Sequence, residues 1–182
     1  MALSACAGVG GLWLLIGDFS VLRWPAIPVA AMTAGYTAFL FGQAKGRELW
    51  QSPMLFWHLI VQAAMVGSGA LLVAAPFTDL DGAATRFLTV GFAVSAACHL
   101  LFLVLEYGSG HAGRGAAVAA RLVTRGRYAK TFWLGGVLPV VVAIPLVFLG
   151  PVAGVLSGLV VQAALLAYES VYVRAGQDVP LS

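Results

Sequence analysis

From Pro53 to Ala75 the chain carries no Asp, Glu, Lys or Arg, and neither do the stretches from Phe87 to Leu105 and from Thr131 to Ala167. About 20 apolar residues cross the hydrocarbon core of a bilayer as a helix. Inside lipid only helices and closed barrels satisfy every backbone polar group. A barrel strand alternates apolar and polar residues, whereas these runs are continuous, so helices are expected. Only 9% of the 182 residues are charged, against about 25% in soluble domains. The fold class is therefore all-α: a polytopic transmembrane helix bundle.

The chain divides into about six spans, at residues 2–22, 25–43, 53–75, 85–107, 131–150 and 151–173, within one helical domain covering residues 1–182. The first span has no polar lead before it, which suggests a chain that begins inside a larger protein or a misassigned start. Pro25 and Pro28 are expected in the first turns of the second span, where proline is tolerated. The last two spans are joined so tightly, through Gly150-Pro151, that they form an antiparallel hairpin. Six spans put both termini, the turn at 44–52 and the loop at 108–130 on one side. That side collects Lys45, Arg47, Arg114, Arg121, Arg125, Arg127, Lys130 and Arg174, and the other has Arg23 and Arg86. Basic loops stay in the cytoplasm, so both termini are expected there, at the plasma (inner) membrane of a prokaryote.

Arg114, Arg121 and Arg125 share one helical face, with Val118 and Leu122 nearby. This predicts a short cytoplasmic amphipathic helix with its arginines toward anionic headgroups. A membrane surface accounts for these cations, so no nucleic-acid partner is inferred. Asp79 and Asp81 read as a turn and helix cap rather than as a calcium site, which needs 6–8 oxygens. Cys6 and Cys98 lack the spacing of a metal or redox motif. The Leu3-Ser4-Ala5-Cys6 match to a lipoprotein cleavage box lacks the basic and apolar regions such a signal needs. No catalytic residue, nucleotide-binding loop or metal site is recognised.

Polar groups within a span are costly and mark function by default. Here they are Tyr36, Gln43, His58, Gln62, His99, Glu106, Gln162 and Glu169. His58 and Gln62 share a helical face, as do His99 and Glu106, and Gln162 and Glu169. At 1.5 Å per residue, His58, His99 and Glu169 all fall in the cytoplasmic leaflet. His58, His99, Glu106 and Glu169 are thus proton-path candidates; interhelical hydrogen bonding and snorkelling are the plainer alternative. Bis-histidine haem ligation by His58 and His99 stays open on spacing alone, although their depths differ by roughly 4 Å on the same rise.

The stretch Ala34–Pro53 resembles the NrfD/PsrC family, the polysulfide-reductase-type membrane subunits of molybdopterin oxidoreductases. Its residues are Gly35, Tyr36, Thr37 and Leu40 at a helix end, Arg47 in a basic turn, then Trp50 and Pro53. Lys130–Pro139 is similar to the family's Phe-Trp helix, and Val173–Ser182 to its tail. The resemblance implies eight or more spans, so early helices are expected to be missing from this sequence. It also implies a menaquinone or ubiquinone substrate, no haem or cluster of the chain's own, and partners comprising an iron–sulfur subunit and a molybdopterin catalytic subunit. Tyr36, in the family's helix-end motif, is the quinone-binding candidate. The implied function is a quinone-interacting anchor subunit exchanging electrons between membrane quinone and an iron–sulfur partner. A non-catalytic membrane scaffold and a small transporter are the alternatives.

Overall fold

A computed structural model describes residues 19–108 and 113–180, with side chains from Trp24 onward. Six helices follow one another: α1 (Phe19–Gly42), α2 (Leu55–Ala74), α3 (Gly82–Gly108), α4 (Arg114–Thr124), α5 (Leu138–Leu146) and α6 (Pro151–Asp178). Among the described residues there is no strand. Among the described residues, five helical stretches are long and apolar enough to cross a membrane: Trp24–Gly42, Leu55–Phe77, Gly82–Gly108, Thr131–Leu149 and Pro151–Asp178. The expected all-α membrane bundle is present. Of the six spans expected, the first lies almost wholly outside the described residues.

Three boundaries differ from expectation. No break separates residues 22 and 25: α1 runs through Pro25 and Pro28, which lie inside the helix rather than in its first turn. Breaking a helix in an apolar medium strands several backbone groups, whereas each proline removes only one donor. The fifth span is not a uniform helix. Thr131–Val137 is a wide turn in which the N–H of Leu138 donates to the carbonyl of Trp133, before α5 proper and a tight turn at Val147–Leu149. Pro139 and Pro145 remove two donors from this stretch. Gly135 and Gly136 let it sit close to α6, where Cβ atoms would meet Ala167 and Tyr168 at 3.2 and 3.3 Å. Finally, α6 continues past Val173 to Asp178.

That extension is held by the turn between α1 and α2. Arg47 Nη1 donates to the carbonyls of Gly176 (2.7 Å), Gln177 (2.7 Å) and Val179 (3.0 Å). A helix C-terminus leaves carbonyls unpaired and carries negative partial charge, so a guanidinium there satisfies both. The neighbouring Glu48 accepts from the backbone N–H of Ala116 (3.0 Å) in the first turn of α4, where an anion is favoured. One turn thereby caps two helices. Tyr128 donates to Asp178 (2.6 Å). Donating to a carboxylate holds the Tyr128 hydroxyl above its ordinary pKa.

The amphipathic helix α4 forms as expected, but its apolar face packs against protein. Ala116, Ala119, Ala120 and Val123 are buried, and Ala119 and Val123 join the cluster that contains Leu49 and Tyr172. Small alanine side chains permit that approach, while Arg121 and Arg125 remain exposed. At the opposite end, Gly150 has φ +126°, which favours glycine, and turns the chain into α6.

The centre of the bundle is the contact of α2 with α6. A Cβ at Gly158 would collide with the carbonyl oxygen of Gly69, and the Gly158 Cα lies 3.2 Å from where a Gly69 Cβ would stand. Gly154 and Gly158 make a four-residue glycine repeat, a spacing that lets membrane helices approach closely. Met65, Phe92, Val140, Ala143 and Val161 pack around this seam. Gly158→Ala is expected to lower the melting temperature in detergent markedly. Gly67→Ala, where a Cβ meets nothing within 4 Å, should leave it unchanged or slightly raised. Thermal unfolding of both variants checks the pair; equal behaviour would remove the seam's role.

Candidate functional site

Toward the basic end, α2 and α6 are no longer separated only by glycine. The space between them and α3 holds His58, His99 and Tyr168, all buried. His58 Nε2 and His99 Nδ1 lie 2.8 Å apart in a direct hydrogen bond. His58 stacks on Phe102, with ring centroids 5.1 Å apart and planes 14° from parallel. His99 meets Tyr168 edge-on at 5.5 Å. Packed rings on three sides fix both imidazoles in orientation, and the bond satisfies one nitrogen of each.

The helical rise measured from Pro53 and Tyr107 placed the two histidines at unequal depths. The structure aligns the helices through a different pair: Ser52 Oγ donates to Glu106 Oε2 at 2.7 Å. From that level His58 is six residues in and His99 seven, about 9 and 10.5 Å at 1.5 Å per residue. The histidines are therefore level. Their separation is that of a hydrogen bond; a metal between them would need two bonds of about 2.0 Å each. Among the described residues no group of three or more His, Cys, Asp or Glu side chains converges to hold a metal ion.

The other candidates divide. Glu106 lies at the mouth, bonded to Ser52. Glu169 is partly buried and faces the buried Gln62 amide from α6. Both carboxylates thus lie at the end of the bundle where the Arg47 turn sits. Gln162 and Gln43, also noted in the sequence, point outward. Tyr36 is 51% exposed on α1 and makes none of the ring contacts or hydrogen bonds of the histidine cluster. Its neighbour Gly35 explains part of that motif: a Cβ there would strike the Phe56 ring, so glycine lets α1 lie against α2. Cys6 lies outside the described residues.

Sequence reading did not single out the aromatic column beside the histidines. Tyr168 and Tyr172, one turn apart on α6, pack with tilted rings 6.0 Å apart, and Tyr172 Oη donates to the Leu49 carbonyl (3.0 Å). Trp50 packs on Phe41 at 4.9 Å, and a Cβ at Gly176 would run into its indole. The column leads from the imidazole pair to the basic turn. Tyr107, whose ring meets Phe132 at 5.1 Å, has a buried hydroxyl on the side of Tyr168. The i, i+4 spacing of Tyr168 and Tyr172 was visible, but aromatic residues at that spacing more often mark plain core.

Chemically, the pair of imidazoles can pass a proton by exchanging tautomers, since each ring has one nitrogen that donates and one that accepts. The partly exposed carboxylates can receive protons at the mouth. Compared with known families, the chain matches the family model described as Polysulphide reductase, NrfD, over residues 10–174. No curated protein and no solved structure matches it.

Removing one imidazole leaves the other buried without its partner, at a cost of about 1–3 kcal/mol. His58→Leu and His99→Leu should each destabilise by that order in denaturant unfolding, and the double variant by less than their sum. Strict additivity would mean that the hydrogen bond contributes nothing.

Proposed function

Because this chain belongs to the NrfD family, whose members are membrane subunits of polysulfide-reductase-like complexes, we propose that it is the quinone-interacting anchor of such a complex. Its partners are an iron–sulfur subunit and a molybdopterin catalytic subunit. Quinol oxidation releases two electrons and two protons; the reverse reaction takes them up. The electrons pass between menaquinone or ubiquinone and the partner's iron–sulfur cluster. The protons are handled by this chain.

The observation that carries the reading is the buried His58–His99 pair behind two carboxylates, within a bundle of apolar helices. Intramembrane ionisable groups of this kind belong to proton relays. Glu106 and Glu169 exchange protons at the mouth, and the imidazole pair stores or transmits one within. Tyr36 is the residue offered to the quinone oxygen, from the open face of α1. That same exposure favours a second reading, a scaffold that holds soluble subunits on the membrane without binding quinone.

Glu106→Gln and Glu169→Gln should lower quinol-coupled turnover of the assembled complex severalfold while leaving co-purification of its subunits intact. Tyr36→Phe should raise the KM for quinol more than it lowers kcat. Parent-like kinetics in all three variants would leave the scaffold reading in possession.

The reading places the Arg47 end in the cytoplasm of a prokaryotic cell, since the basic side chains gather there. Single cysteines at positions 81 and 121, introduced on a Cys6→Ala/Cys98→Ala background, test this with a membrane-impermeant thiol label on intact cells. Position 81 should react from outside and position 121 only after permeabilisation. Reaction of both from one side would overturn the threading.

A further inference from the structure

A groove of about 520 Å³ opens on the surface of the bundle between α3 and the Thr131–Leu146 segment. Its length is apolar: Leu100, Leu103 and Val104 on one wall, Val137 and Val141 on the other. At the basic end it is crowned by Arg125 and Trp133. From Leu100 to Gly108 the α3 wall rises about 12 Å, enough to hold much of an acyl chain.

The crown is built. The Trp133 indole N–H donates to the Thr124 carbonyl (3.0 Å), and its ring packs edge-on against Phe132 at 4.9 Å. This fixes a tryptophan at the level where interfacial tryptophans sit. Arg125, one residue beyond Thr124, is exposed and has no carboxylate partner among the described residues. The neighbouring Arg127 differs, since it pairs with Asp178 at 3.2 Å. Arg125 is the one charged residue among those lining the groove.

We propose that this groove is a binding site for an anionic phospholipid. The acyl chain lies along α3 and α5, and the phosphate-bearing headgroup meets Arg125 beside Trp133. The argument is charge complementarity joined to shape. A cation with no carboxylate partner among the described residues stands at one end of an apolar channel that runs along the helices, and basic pockets between membrane helices on the cytoplasmic side bind acidic headgroups. The proposal goes beyond the quinone reading and does not depend on it.

The test is native mass spectrometry of the purified full chain in detergent, exchanged with an equimolar mixture of phosphatidylglycerol and phosphatidylcholine. Phosphatidylglycerol should be retained about fivefold over phosphatidylcholine, the factor that one arginine near the surface supplies. Arg125→Gln should bring that ratio to about one, while Arg121→Gln, outside the groove, keeps it. Val141→Trp, which fills the channel, should reduce retention of both lipids. Equal retention by the parent protein overturns the proposal. So does a preference that survives Arg125→Gln or disappears in Arg121→Gln, or retention undiminished by Val141→Trp.

Discussion

The close approach of α2 and α6 at Gly69 and Gly158 sets the geometry of the whole bundle. Without side chains, the two backbones touch, and dispersion contacts replace the hydrophobic drive that lipid cannot supply. Two helices that touch at one level diverge away from it. Toward the basic end the gap is wide enough for rings, and His58, His99 and Tyr168 fill it. The polar site is thus a wedge whose apex is the glycine contact.

How much of this was legible in the sequence depends on which force writes it. Span number and class come from hydropathy, and every described span except the fifth is a single helix near its expected place. Boundaries were less legible because they rest on tertiary partners. Nothing local says that α6 should continue to Asp178; Arg47, more than a hundred residues earlier, supplies the reason. Pro25 and Pro28 look like a helix start, yet lipid makes a break costlier than a proline. The Gly154–Gly158 spacing was plain in the sequence and would have indicated the central contact.

The candidate site follows the same division. Placing His58, His99, Glu106 and Glu169 toward one end needed only residue counting, and their interactions agree with it. The levelling of the histidines did not follow from counting, because it depends on which residues of two helices meet, here Ser52 and Glu106. Two stretches of resemblance far apart in sequence also turn out to be one structure: Arg47 and Trp50 of the turn lie on Gly176 and Gln177 of the tail. Short motifs that look independent are the two halves of a single contact.

That contact has a consequence for biosynthesis. The earlier helices leave the ribosome before α6, so while they enter the membrane Arg47 faces no carbonyls and Trp50 has no glycine to lie against. Only when the final turn of α6 emerges do the seam and its cap close together. Completion of α6 is therefore the step at which the turn after α1 and the helices packed on α6 can become one body.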